Sequence, residues 1–330
     1  MLILAYIHSF YFIYTEAVNV RYFCLMNEQT KFNAWISAFR LRTLPLSVSG
    51  IILGSFLARY NGFWDIQVFA FALITTLFFQ IVSNLANDLG DSIKGTDNNN
   101  RIGPVRSVQS GLISPKEMKN AIIIGVVLAL ISSTILIYSA IDYLSTRTIL
   151  FYALLAVICV FAALLYTIGK KAYGYFGFGD LMVFIFFGGV SVIGVYPLFG
   201  GNYITLLLYP AITIGLLSTA VLNLNNMRDR LNDKQSAKRT IAVILGPNGS
   251  KIYHFCLVFV ALICQFIFID QLNHFPLKIC MVPPAIVLGL HVRKVMRTTN
   301  PKDFDGQLKI VALSTFALAV LTAIGLSIEI

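Results

Sequence analysis

The chain has 330 residues, of which 57% are hydrophobic and only 12% charged. A soluble domain carries roughly 25% charged residues, so a water-soluble globular fold is excluded. The formal net charge of +10 does not mark a nucleic-acid binder, because the basic residues gather in short loops between apolar runs. Those runs follow neither a period of 2 nor one of 3.6, and each approaches the ~20 residues a helix needs to cross a bilayer. Backbone groups in hydrocarbon must be satisfied within their own segment, so the runs predict spanning helices and an all-α, polytopic membrane protein.

Taken in chain order, residues 1–30 open with an apolar run that lacks both a basic start and a small-residue cleavage site. They read as an extension of little functional weight, and residues 31–330 as one transmembrane domain. The stretch NEQTKFNAWISAFRLRTLPLS after Met26 reads as an amphipathic helix lying in the interface and leading into the first span. About nine spans are expected: 43–59, 65–87, 119–140, 147–168, 179–198, 203–225, 252–270, 276–292 and 307–327. Two starts carry explicit signals. Ser114-Pro115-Lys116-Glu117 combines an N-cap, a first-turn proline and a capping-box glutamate. Asn300-Pro301 repeats part of it, with Asp303 in the first turn. Asp180 reads as the N-cap of span five, and Gly50-Ile-Ile-Leu-Gly54 as a close helix–helix contact.

With the N-terminus inside, every Lys and Arg except Arg59, Arg147 and Lys278 falls on the inner side. This bias predicts a cytoplasmic N-terminus and an external C-terminus. The five cysteines have no metal-like spacing and read as small core residues. The four scattered histidines are assigned no chemistry.

The acids are unevenly placed. Asp88, Asp91, Asp97 and Glu117 fall in the loop expected after span two, and Asp229 and Asp233 in the loop after span six. Both loops lie on the inner face. If span two continues as a helix, Asn84, Asn87, Asp88 and Asp91 form one stripe, as do Asn225, Asn226, Asp229 and Asp233 on span six. Aligning Asn87 with Asn225 sets Asp91 on Asp229, the pattern of a diverged duplication in which spans one to four resemble five to eight. Lys94, Arg101 and Arg106 follow the first cluster. Lys238 and Arg239 follow the second, with Arg228 and Arg230 beside it. Mg²⁺ takes oxygen ligands and is usually held by one or two carboxylates plus substrate phosphates. Arg and Lys donate to phosphate oxygens. Two acid-rich helix ends facing each other therefore suit a diphosphate, and an apolar bundle beside them suits a lipid tail.

At these residues the chain resembles the UbiA-type intramembrane prenyltransferase superfamily, over roughly residues 35–325. Asn87-Asp88-Leu89-Gly90-Asp91 and Asp229-Arg230-Leu231-Asn232-Asp233 match its paired acidic motifs. RLRTLPLS (40–47), NDLGDSIKGTDNNNRIGPVRSVQSG (87–111) and YTIGKKAYGYFGFGDLMVFIFFGGVSVIG (166–194) look like its 1,4-dihydroxy-2-naphthoate polyprenyltransferase branch. Ala237 stands where members often have glycine.

The resemblance implies a UbiA-like bundle with two pseudo-repeated four-helix halves, in the bacterial cytoplasmic membrane. It also implies transfer of a polyprenyl group from polyprenyl diphosphate to 1,4-dihydroxy-2-naphthoate, with loss of diphosphate and CO₂. Mg²⁺ is the expected cofactor, and no obligatory protein partner is evident. Asn87, Asp88, Asp91, Asp229 and Asp233 are expected to hold Mg²⁺ and diphosphate, with Asn84 and Asn225 or Asn226 in support. Asp97 either joins the metal site or caps the loop that starts at Gly95. Lys94, Arg101, Arg106, Lys238 and Arg239 are the candidate diphosphate donors. Tyr166 and Lys170 match a Tyr-x-x-x-Lys pattern and are candidates to face the substrate, Lys170 equally to anchor a helix at the headgroups. Arg42 either meets the naphthoate carboxylate or snorkels. Other readings are the same chemistry on another aromatic acceptor, such as 4-hydroxybenzoate or homogentisate, a lipid-diphosphate transporter, and a CDP-alcohol phosphotransferase.

Overall fold

The computed structural model describes residues 30–98 and 100–328. The extension expected over residues 1–30 therefore lies, Thr30 apart, outside the described residues. Helix α1 (residues 30–39) precedes a single 3₁₀ turn and α2 (Leu44–Tyr60). Then come α3 (Ile66–Ile93), α4 (Pro115–Ser139), α5 (Thr146–Leu165) and α6 (Gly179–Phe184), the last running on as a π-helix over Ile185–Ile193. The chain closes with α7 (Leu208–Gln235), α8 (Ile241–Leu272), α9 (Phe275–Arg297) and α10 (Phe304–Ser327). Among the described residues, nine helices are long and apolar enough to cross a membrane.

Helices α7, α2 and α10 are the most enclosed and build the middle of the bundle, while α5 sits at its rim. The inner helices interlock through small residues. A side chain at Gly50 or Gly54 would run into the backbone of the π segment at Phe187 and Val192, so α2 and that segment touch main chain to main chain. The outward faces of α4, α5, α8 and α9 are rich in exposed Ile, Leu, Phe and Val, as expected of surfaces solvated by lipid.

The expected helix starts hold where a mechanism specified them. Ser114 and Glu117 form a reciprocal capping box, and Asn300 caps its turn through Lys302 N. Asp180 is not a cap. It is the second residue of α6, which has no side-chain cap. The ends of spans two and six also differ from expectation. NLANDLGDSI contains nothing that stops a helix, so α3 runs on to Ile93 and ends where Gly95 takes a positive φ of 71°. Helix α7 runs on to Gln235 and is followed by Ala237 at φ 55°. Asp88, Asp91, Asp229 and Asp233 thus stand on the last turns of two 28-residue helices rather than in loops. Glu117 lies in the first turn of α4, and Asp97 alone of the first group is in a loop. The cysteines are not uniformly core: Cys256 is exposed and Cys159 faces a cavity. Cys24 is outside the described residues.

Candidate active site

The last turns of α3 and α7 meet at one end of the bundle, joined by the loop of residues 94–114. Asn232 Nδ2 donates to the Thr96 carbonyl at 2.7 Å, and Gly103 N donates to Asp229 Oδ1 at 3.1 Å. Asp88 receives Ser107 N and Val108 N on its two oxygens, at 3.1 and 3.3 Å. Ser107 Oγ in turn donates to the Ala34 carbonyl of α1. Four segments distant in sequence are thereby held around one polar centre.

Within it the acids are buried and mostly paired. Asp91 accepts from Tyr175 Oη at 2.7 Å and faces Lys238 Nζ at 3.3 Å. Burial acts to lower the Lys238 pKa, yet Asp91 and Asp233 outweigh it and raise it, so the ammonium is firmly charged. Asp229 takes a fork from Arg228 (Nε at 3.0 Å, Nη2 at 2.7 Å) and stands 3.4 Å from Arg101. Arg228 also reaches Asp305 and Asn225 Oδ1, both at 2.6 Å. Asp233 is buried among Lys238, Asp229 and Asp91. Asn226 is buried two turns from Asp233.

Several buried groups are left without a partner among the described residues. Both oxygens of Asp97 lack a hydrogen bond, although Arg101 Nε stands 3.3 Å from one of them. Burial, reinforced by Asp91, pushes the Asp97 carboxyl up to about 6 against the pull of Arg101. Asn232 Oδ1 is a third such acceptor. On the donor side, Arg106 Nε and Arg40 Nη2 are buried and unmatched. Burial beside Arg40 and Arg101 lowers the Arg106 guanidinium well below its ordinary value. An unpaired buried donor or acceptor costs about 1–3 kcal/mol, so this concentration at one spot marks a place built for something polar. Among the described residues no three acids, histidines or cysteines converge tightly enough to cage an ion unaided.

From this centre a cavity of about 370 Å³ runs into the bundle. Its head is lined by Arg40, Asn84, Asn87, Tyr166 and Asn225, and its far part by Ala72, Leu136, Tyr152 and Leu198. Asn87 and Ala72 on α3 are separated by about 22 Å of helical rise. Asn84 is fixed by Gln80 and by the Phe39 carbonyl, and Asn87 accepts from Thr167 at 3.3 Å. Phe186 and Phe187 of the π segment join the lining.

The model of the UbiA prenyltransferase family matches residues 47–325. The chain belongs to the UbiA prenyltransferase family. It is 41% identical over 278 residues to 1,4-dihydroxy-2-naphthoate octaprenyltransferase of Escherichia coli, covering 84% of this chain and 90% of that protein. The Haemophilus influenzae protein of the same name is 36% identical over 312 residues, covering 92% and 98%. A UbiA homolog from Archaeoglobus fulgidus, solved bound to DMAPP and Mg²⁺, shares the fold with a TM-score of 0.54 at 13% identity, over 86% of this chain and 99% of that one.

Of the residues that the UbiA-type motifs single out, the fold brings Asn84, Asn87, Asp88, Asp91, Asp97, Arg101, Arg106, Asn225, Asp229, Asp233 and Lys238 to the polar centre or the cavity head. Lys94 lies over the Tyr175 ring, 3.8 Å from its centroid. Lys170 and the side chain of Arg239 are exposed, and neither has a polar side-chain partner among the described residues. The Arg42 side chain lies outside what the structure describes. Arg40, not singled out in the sequence, lines the cavity head. A left-handed turn at Arg40 (φ 53°), which no pattern of apolar residues announces, aims it there. Tyr175, also missed, is tied to Asp91, Thr96 and the Arg239 amide at once.

Proposed function

We propose that this chain transfers a polyprenyl group from polyprenyl diphosphate to 1,4-dihydroxy-2-naphthoate, releasing diphosphate and CO₂ and giving demethylmenaquinol for menaquinone synthesis. The observation that carries the reading is the set of unmatched buried donors and acceptors in the polar centre, which Arg40 joins to the head of an apolar cavity. Arg40 Nη2 and Arg106 Nε ask for an anion, and the Asp97 oxygens and Asn232 Oδ1 ask for a cation or its waters. A lipid diphosphate carried with a divalent ion supplies both, and its tail suits the cavity. The names of the relatives point to the naphthoate acceptor.

The donor set fits Mg²⁺, which needs only one or two protein carboxylates when phosphate oxygens complete its shell. Asp91, Asp97, Asp229 and Asp233, with Asn87, would hold it. When bound, it offsets the charge that develops on the departing diphosphate. Asp88 keeps the 94–114 loop in place through Ser107 N and Val108 N, so its contribution includes shaping the site. Arg101, Arg106 and Lys238 donate to the leaving oxygens, where charge-assisted bonds strengthen as charge builds. The enclosed cavity, with Phe and Tyr faces, keeps water from the allylic cation left behind. The electron-rich ring then attacks, and loss of its carboxylate restores aromaticity. Tyr166 lines the cavity head, where it would face the acceptor. The basic-residue bias supports a site on the cytoplasmic side of a bacterial inner membrane.

The test uses protein purified in detergent with Mg²⁺ and a polyprenyl diphosphate. 1,4-Dihydroxy-2-naphthoate and 4-hydroxybenzoate are offered separately, and prenylated product and CO₂ are followed. The expected result is product and CO₂ from the naphthoate alone, falling by about 10²–10³-fold in Asp91→Ala and Asp233→Ala. Product from 4-hydroxybenzoate would move the acceptor. Binding of the lipid diphosphate with no product from either acceptor would favour a transporter.

A further inference from the structure

Asp229 differs from the other acids of the polar centre in how fully it is occupied. Arg228 Nε, at 3.0 Å, and Gly103 N, at 3.1 Å, donate to its Oδ1. Arg228 Nη2 donates to Oδ2 at 2.7 Å, and Arg101 Nη2 stands 3.4 Å from the same oxygen. A carboxylate offers about four lone-pair sites, so these nitrogens match its whole capacity. Asp88, by contrast, has one main-chain donor at each oxygen. A divalent ion therefore gains Asp229 only where one of its nitrogens gives way.

Arg228 makes the closest of these contacts, and it already has other partners. Its Nη1 donates to Asp305 Oδ1 on α10, and its Nη2 to Asn225 Oδ1 on α7, both at 2.6 Å. One guanidinium is thus shared between two carboxylates. Arg228 and Asp229 are buried, whereas the Asp305 side chain is 42% exposed. On its other side the guanidinium is covered by the 94–114 loop, which lies so close that a side chain at Gly103 would strike both Arg228 and Arg101. A dication arriving at Asp229 meets the fixed charge of Arg228 beside it. Buried charges are little screened, so ion and guanidinium compete for one carboxylate, and the partners that can keep the displaced guanidinium are Asp305 and Asn225.

We propose that Arg228 is a built-in counter-cation that competes with Mg²⁺ for Asp229, and that Asp305 is a positioning residue that draws the guanidinium aside as the metal enters. This rests on the reading that a divalent ion is held here, and it is tested with the metal alone. The wild type, Arg228→Gln and Asp305→Asn are purified in detergent and titrated with Mg²⁺, followed by calorimetry and by the Mg²⁺-induced rise in thermal midpoint. Arg228→Gln removes the competitor and is expected to tighten Mg²⁺ binding by about tenfold, although loss of a buried ion pair lowers its metal-free midpoint. Asp305→Asn leaves the guanidinium to Asp229 and is expected to weaken Mg²⁺ binding by about tenfold. A merely structural role for Arg228 would loosen the site and lower the affinity in both variants. The proposal is overturned if folded Arg228→Gln binds Mg²⁺ no more tightly than wild type, or if Asp305→Asn shares the measured Kd of the wild type. Where Arg228→Gln does not fold, Asp305→Asn decides alone, since its side chain is partly exposed. Mg²⁺ that acts on none of the three alone, yet binds with prenyl diphosphate, would overturn this proposal and leave the metal reading standing. Mg²⁺ without effect even then would overturn both.

Discussion

At the scale of single residues, two positions hold the same left-handed backbone to different ends. Ala237, just past the end of α7, holds φ 55°, a conformation that costs an L-residue roughly 1–2 kcal/mol. Glycine adopts it freely but loses more chain entropy on folding, about 0.5–1 kcal/mol. Ala237→Gly is therefore expected to stabilise the protein by about 0.5–1 kcal/mol, read as a raised thermal midpoint in detergent. Arg40 bears the same left-handed geometry, but there the turn serves the site by aiming a guanidinium into the cavity head. Arg40→Ala should lower kcat/KM by about 10²-fold. Arg42→Ala is the comparison, and an effect as large there would support a role for Arg42 at the acceptor carboxylate. The part played by Arg40 shows what a sequence conceals. RLRT offers two equivalent bases, and the choice between them is made by one dihedral angle.

At the scale of elements, the acids were legible because their spacing of three and four residues is itself helical, so Asp88, Asp91, Asp229 and Asp233 could be set on two stripes before any helix was seen. Helix starts at Ser114 and Asn300 were legible because caps are local chemistry. Span ends in polar sequence were not, since hydropathy falls before the helix does. Nor was the π segment, against which the glycines of α2 pack main chain to main chain. A second feature hidden from hydropathy joins the last three helices. His254 Nε2 and His291 Nε2 are 2.8 Å apart, and His291 Nδ1 is 2.8 Å from Gln307 Oε1, all three buried. The histidines given no chemistry in the sequence thus link α8, α9 and α10. Replacing the middle member leaves two buried polar groups unmatched, so His291→Leu should cost about 2–5 kcal/mol. The folded fraction should keep its acceptor specificity, as measured by thermal shift and by product analysis.

At the scale of the whole molecule, the charge bias predicts an orientation that can be read with single cysteines introduced into a variant lacking the native ones. A cysteine at Lys278, near the start of α9, should react with a membrane-impermeant maleimide added outside intact cells. One at Arg297, at the other end of α9, should react only after lysis. The same axis separates two kinds of fastening. At one end the 94–114 loop is stitched to both acid-bearing helices, by Asp88 on α3 and by Asp229 and Asn232 on α7. At the other, Tyr152 bolts α5 to the end of the π segment. A bundle sewn at one pole and bolted at the opposite one cannot rock its halves past each other without tearing several buried hydrogen bonds together. Its reactants must come and go around a standing vault. The water-soluble and the lipid-soluble product then part by solvent, each leaving into the phase that dissolves it, and that separation discourages the reverse reaction with no moving gate.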